Sequence, residues 1–146
     1  MGVDVQINEL FTSLYTDIKD VEEKALLSGE FSDMTYNDFH VIDAIGPGES
    51  RASSDVSKKL NVTMGTLTKA IDGLVNKGYV SRERSETDKR KVMLSLKEKG
   101  IAAYRKHEKF HKDMVSSVLS QMSDTDAEVL ARTLNRLQIY FNKQLL

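Results

Sequence analysis

At 146 residues and 16.5 kDa the chain is enough for one domain of ordinary size, or one compact lobe with helices attached, and too short for two large independent units. Apolar residues at 40% and charged residues at 29% exclude a wholly disordered chain; no apolar run approaches the roughly 18 to 20 residues of a membrane span, which excludes a transmembrane protein. The net charge of −1 hides a division: residues 1–34 carry −6 and residues 35–50 carry −3, against +5 over residues 51–91 and +3 over residues 97–113.

The first predicted element is an amphipathic helix. Ile7, Leu10, Phe11, Leu14, Ile18, Val21 and Ala25 recur every three or four positions, and the stripe ends near Gly29. Thr35-Tyr-Asn-Asp38 has the form of a capping box and predicts a second helix to about Ile45. Gly46-Pro47-Gly48-Glu49-Ser50 gathers the only proline and two of the eight glycines, so it is read as a loop. Ser53 or Ser54 should cap a short helix to Leu60; Asn61-Val62 turns the chain, and Thr63 caps a further helix that stops at Gly78. Tyr79–Arg84 and Lys91–Leu96 both alternate, which predicts a β-hairpin whose tip is the polar stretch from Ser85 to Arg90. From Lys97 the helical period returns, with Ile101, Tyr104, Met114, Val118 and Met122 in register over roughly 25 residues, about 37 Å of helix. Ser123-Asp-Thr-Asp126 opens a last helix, on which Ala127, Leu130, Leu134, Leu137 and Phe141 form a seam suited to packing on another helix.

A tight helix pair followed by a hairpin, inside the basic segment, is the order of a winged helix-turn-helix. On the helix from Thr63, Leu67, Ile71 and Leu74 fall within an arc of about 60° at 100° per residue and should face inward. The opposite side presents Gly65 and Lys69, flanked by Thr66 and Thr68: small or hydrogen-bonding groups and one cation, as a rod lying in a major groove requires. At the hairpin tip, Asp88-Lys89-Arg90-Lys91 followed by Val92 to Leu96 and then Lys97-Glu98-Lys99-Gly100 resembles the Asp-x-Arg signature, strand and Leu-Thr-x-x-Gly-like helix entry of the MarR family of transcription regulators. Lys97 departs from the usual threonine, which puts one helix-capping detail in doubt. The resemblance covers essentially the whole chain and implies a mainly α fold with a small β-hairpin wing: residues 1–34 a helix contributing to dimerisation, 35–96 the DNA-binding domain, and 97–146 long dimerisation helices.

Within that family Ile7-Asn-Glu-Leu10, His40-Val-Ile-Asp-Ala-Ile-Gly46, Val62-Thr-Met-Gly-Thr66, Lys77-Gly-Tyr79 and His107-Glu-Lys-Phe-His111 are similar to the FabT subgroup, repressors of fatty-acid-synthesis genes in Gram-positive bacteria. That resemblance implies a homodimer on double-stranded DNA with an AT-rich palindrome, and a long-chain acyl group on acyl carrier protein as corepressor. The residues expected at DNA are Ser53, Lys58, Lys59, Thr63, Gly65, Thr66, Thr68, Lys69, Arg84, Asp88, Lys89, Arg90 and Lys91. Lys58, Lys59, Lys89 and Lys91 would hold phosphates, Thr66, Lys69 and their neighbours would read bases, and the Arg90 guanidinium suits the negative potential of a narrow minor groove, with Asp88 orienting it. For an acyl chain the candidates are Phe31, Phe39, His40, Tyr104, His107 and His111; the basic run Arg105, Lys106, Lys109 and Lys112 would attract an acidic carrier protein.

His107-Glu-Lys-Phe-His111 also matches H-E-x-x-H, the zinc-protease pattern, in which two histidines one helical turn apart hold the metal and the glutamate is general base. A third ligand is wanting: Met114 and Ser117 stand where the glycine and histidine of the metzincin continuation belong, and Glu128 is the only glutamate downstream. A hydrolase is therefore set aside, and neither enzyme activity nor a cofactor is expected. A regulatory metal site remains an alternative, since some zinc-sensing MarR relatives use histidines that His40, His107 and His111 resemble, with Glu22 or Glu23 as acidic ligand. The bland alternative makes these histidines hydrogen-bonded packing residues. With no cysteine there is no disulfide framework, thiol nucleophile or cysteine-ligated zinc. The start, Met-Gly-Val-Asp-Val-Gln6, reads as neither signal peptide nor myristoylation motif, so a soluble cytoplasmic protein without membrane association is expected.

Overall fold

The computed structural model describes residues 2–146, which form six α-helices and a small antiparallel sheet. In chain order these are α1 (Val3–Leu26), a 3₁₀ turn (Gly29–Phe31), α2 (Tyr36–Ile45), β1 (Arg51–Ala52), α3 (Ser53–Leu60), α4 (Met64–Asn76), β2 (Val80–Arg84), β3 (Val92–Leu96), α5 (Glu98–Leu119) and α6 (Asp124–Gln144). The mainly α class with a hairpin wing is the one the sequence predicts. Two compact units divide the chain, one ending at Phe110 and the other comprising His111–Leu146.

Capping chemistry sets the boundaries in the first unit. Thr35 Oγ1 accepts from Asp38 N at 3.2 Å while Asp38 Oδ2 accepts from Thr35 N at 2.9 Å, so both halves of the capping box form and α2 starts where predicted. Thr63 Oγ1 accepts from Thr66 N at 3.2 Å and starts α4 in the same manner. At the other end of α4, Gly78 takes φ +85°, Gly78 N donates to Val75 O, and Tyr79 N donates to Leu74 O at 2.9 Å. This is a Schellman closure, with the fully buried Leu74 and Tyr79 as its hydrophobic pair.

Three expectations are corrected. The N-cap of α3 is Ala52, not Ser53 or Ser54; Ser53 is already helical, because Arg51 and Ala52 are held as a strand opposite Leu94 and Met93. The wing is therefore a three-stranded sheet in the order β1-β3-β2 and not a lone hairpin. Two residues are too few for an alternation pattern to show, and only pairing with β3 defines them. Finally, α1 stops at Leu26 and α5 at Leu119, both sooner than the apolar period suggests.

The core of this unit brings together Leu26, Phe31, Phe39, Ile42, Ile45, Val56, Leu67, Ile71, Leu74, Tyr79 and Leu94 at 2% exposure or less. Leu67, Ile71 and Leu74 thus turn α4 inward as the helical period requires, leaving its opposite face to solvent. Gly100 at the start of α5 is fixed by close approach: a Cβ there would fall on the Tyr79 carbonyl oxygen and lie 3.3 Å from Leu96 Cβ. Lys97 N donates to the same carbonyl at 2.9 Å, so the helix entry is stitched to the residue that closes α4.

The flanking helices behave differently. On α1 only Glu22 and Leu26 are buried, while Ile7, Leu10, Phe11, Leu14, Ile18 and Val21 remain between 40% and 57% exposed. In the second unit, Ser123 Oγ accepts from Asp126 N at 3.1 Å to start α6, which has no buried residue; Leu134, Ile139, Tyr140 and Phe141 are half exposed. Among the described residues no helix is long and apolar enough to cross a membrane.

Candidate nucleic-acid interface

The solvent face of α4 and the tip of the β2–β3 hairpin carry most of the residues expected at DNA, both within the first unit. Gly65, Thr66, Thr68 and Lys69 are exposed along the first two turns of α4, with Thr63 at its cap; Lys58 and Lys59 are exposed on the last turn of α3. Ser53, half-buried, opens α3. Asn61 in the left-handed region (φ 54°) closes α3 and reverses the chain into Thr63, which places the two helices as a tight pair.

At the wing tip the charges are organised by local hydrogen bonds. Lys91 N donates to Asp88 O and Ser85 N to Lys91 O, both at 2.9 Å, which closes the loop. Asp88 Oδ1 accepts from Arg90 N at 3.1 Å and from Arg90 Nε at 3.2 Å, while Arg84 Nη1 donates to the Lys89 carbonyl at 3.2 Å. The Arg90 side chain is nevertheless 92% exposed. One edge of its guanidinium is thus oriented by Asp88 and the rest projects into solvent, beside the exposed Lys89 and Lys91.

The sequence reading missed two groups on this face. Arg82 on β2 donates to Asp72 Oδ1 on α4, tying wing to helix, and Met64, the first residue of α4, is 45% exposed. A signal existed for the pair: Arg82 and Arg84 alternate on one face of the strand, and Asp72 lies near Lys69 on the helical wheel. Met64 carries no such signal, because an apolar residue beside a cap reads as core.

Within the first unit, Phe31, Phe39, His40, Tyr104 and His107 lie where α1, α2 and the start of α5 meet. Phe31 meets Phe39 edge-on at 6.1 Å, Phe39 lies 6.0 Å from the His107 ring, and His40 stands 6.2 Å from His107 and 4.7 Å from Tyr36. Tyr104 is half-buried against the same core. Phe31 and Phe39 are each 1% exposed, so an acyl chain would enter only by opening the core around them. His111 belongs to the second unit, one helical turn beyond His107 on α5.

His107 is buried and bonded. Its Nε2 lies 2.7 Å from Glu22 Oε1, and its Nδ1 is 3.6 Å from Asp43 Oδ1, so one imidazole sits between carboxylates from α1 and α2. Tyr36 OH donates to Glu22 Oε2 at 3.0 Å; burial first, and then this hydrogen bond, push the phenol up to about 12. Glu23, the other acidic candidate, is half-buried on α1. Glu108, the would-be general base, pairs with Arg105 at 3.6 Å.

A second polar joint locks the 3₁₀ turn region to α4 and α5. Tyr79 OH donates to Asp33 Oδ1 at 2.6 Å, and Lys99 stands 3.6 Å from Asp33 Oδ2 and 4.4 Å from the Tyr79 ring centre. The Tyr79 hydrogen bond, helped by Lys99, holds the Asp33 carboxyl below its ordinary range; burial and the same bond push the Tyr79 phenol up. Lys77 reaches Asp38 at 3.4 Å, so the capping carboxylate of α2 also steadies the C-terminal end of α4.

Comparison with known proteins decides what this arrangement is. The family model of transcriptional regulators SarA/Rot matches residues 24–107. The chain belongs to that family. Its fold is the MarR-type winged helix: a crystal structure of Streptococcus pneumoniae FabT in complex with DNA superposes with a TM-score of 0.89 at 38% identity, covering 94% of this chain and 96% of that one. Among curated relatives, the regulator SarZ of Staphylococcus haemolyticus is 35% identical over 94 residues, 64% of each chain, and the repressor YetL of Bacillus subtilis is 32% identical over 84 residues, 58% of this chain and 50% of YetL. The chain thus matches half to about two-thirds of the length of these curated relatives. They are transcriptional regulators, not enzymes, and in such a protein the H-E-x-x-H pattern is a helix segment and not a hydrolytic centre.

Proposed function

We propose that this SarA/Rot-family member is a homodimeric repressor that binds an AT-rich palindrome in double-stranded DNA, controls fatty-acid-synthesis genes, and takes long-chain acyl-acyl carrier protein as corepressor. The observation that carries the reading is the exposed wing tip, where Asp88 orients Arg90 while the guanidinium stays open to solvent. Likeness to FabT, solved on DNA, supports it over nearly the full chain. Two copies of α4 would enter successive major grooves about 34 Å apart, Lys58, Lys59, Lys89 and Lys91 would hold phosphates, and Arg90 would sit in the minor groove. The half-exposed apolar residues of α1 and α6 supply surface for the second copy. A corepressor works only through unequal affinity for two states; in this reading the acyl chain opens the cluster of Phe31, Phe39, His40, Tyr104, His107 and His111, and Arg105, Lys106, Lys109 and Lys112 attract the acidic carrier.

The test is selection of duplexes from a random pool, with and without acyl-loaded carrier protein. A palindrome should emerge, and loaded but not unloaded carrier should tighten its binding. Equal affinity with both forms rejects the acyl assignment and leaves the DNA reading standing; failure to select any sequence rejects the whole.

A second reading, a zinc-responsive regulator, is favoured by one observation: a buried carboxylate and imidazole already 2.7 Å apart, Glu22 with His107. His40, His111 and Glu23 would complete its donor set. Stoichiometric, tight zinc uptake in equilibrium dialysis, lost in His107→Ala, supports it; uptake unaffected by that change rules it out.

A further inference from the structure

The start of α4 reads as a row of hydrogen-bonding threonines, yet the hydroxyl protons of Thr63 and Thr68 are engaged inside the protein. Thr63 Oγ1 donates to Thr66 Oγ1 at 3.0 Å, and Thr68 Oγ1 donates to the Met64 carbonyl at 2.8 Å. Thr63 Oγ1 is also the acceptor that caps Thr66 N. A proton held in this way is not available to a base acceptor. Beside these threonines stand two apolar side chains that water partly covers, Met64 at 45% exposure and Val62 at 37%. Lys69 is the only cation on the outward side of α4's first two turns, and among the described residues no arginine stands on α4 at all.

The chemistry of such a surface is selective. In the major groove guanine offers two acceptors, which arginine or lysine satisfies; thymine alone offers a methyl group, which only an apolar partner desolvates favourably. Residues at the start of a reading helix are the ones that meet base edges. We infer that Met64, supported by Val62, reads thymine C5-methyl groups, so the helix selects thymine through apolar contact at its first turn. This rests on the DNA-binding reading and specifies it. It also gives the exposed thioether a role that the sequence did not suggest: an unbranched, polarisable side chain adapts to a methyl on either side of a base step.

Single replacement of thymine by deoxyuridine in the selected duplex removes the methyl and keeps the base pair. At one or two thymines per half-site this should weaken binding roughly four-fold each, the worth of one buried methyl group. In Met64→Ala, which places a strong helix former at an exposed position, the duplex should bind more weakly and the penalty at those thymines should vanish, as a coupled pair requires. Thr68→Val, which replaces the hydroxyl with a second methyl, should keep the deoxyuridine penalty at those thymines. Deoxyuridine tolerated at every position, an undiminished penalty in Met64→Ala, or loss of the penalty in Thr68→Val each overturns the inference while leaving DNA binding intact. Failure to bind any duplex overturns the proposed function and this inference together.

Discussion

The winged segment and the helices that flank it are built on opposite plans. From α2 to the entry of α5, the elements close on one another: α2, α4 and β3 contribute fully buried side chains, the caps of α2 and α4 form where the sequence places them, and the chain carries its own partners. On α1 and α6, by contrast, strict apolar stripes remain half in water. A repeated apolar spacing is therefore evidence of a surface meant for a helix, but it does not say whose. In the core the partner is the same chain; on the flanks the proposed partner is a second copy.

That contrast breaks most visibly if a charge is set into a flanking stripe. Leu134→Asp puts a carboxylate where the proposed second copy would desolvate it, a cost of several kcal/mol, and should convert two-chain particles to single chains in sedimentation velocity. An unchanged sedimentation coefficient would mean that α6 faces nothing.

Inside the core the matching test is Gly100→Ala. Its methyl would meet the Tyr79 carbonyl, backbone that cannot swing aside, so unfolding in urea should show a loss of about 1–3 kcal/mol. Thr63→Ala removes the cap of α4 and should cost about 1 kcal/mol with the assembly state untouched, which separates a core effect from a flank effect.

The smallest effect concerns pH. The Tyr36 and Tyr79 phenols are raised in the folded chain, so the unfolded chain ionises first, near 10. Their contribution is complete below that value and is lost as pH rises from about 10 towards 12, where Tyr36 itself ionises. Asp33 has the opposite sign: its lowered carboxyl contributes above the ordinary aspartate range and loses that contribution on acidification. Stability of Tyr79→Phe, measured in urea across the alkaline range, should decline less steeply than that of the parent chain.

Most of the fold was legible because it is written in local chemistry. Thr35, Thr63 and Ser123 mark helix starts by supplying an acceptor to an otherwise unbonded N–H, and Gly78 marks a stop by its positive φ. Strand β1 was not legible, since two residues hold no period and Ser53 imitates a cap. In the candidate site, Asp88 and Arg90 stand two residues apart and their contact follows from the sequence. The Arg82–Asp72 tie and the joining of Glu22 to His107 across 85 positions depend on packing that no short window contains. Thr68 illustrates a different limit: its identity suggested hydrogen bonding to bases, while its hydroxyl donates to the Met64 carbonyl of its own helix.

On this view two copies of the protein grip one duplex through α4 and the Arg90 wing. Sedimentation equilibrium on a labelled selected duplex, at one fixed salt concentration, measures that directly. Two copies per duplex are expected, with affinity falling at least about five-fold in Arg90→Ala, a loss of about 1–3 kcal/mol. One copy per duplex, or an Arg90→Ala variant that binds as the parent does, would contradict it.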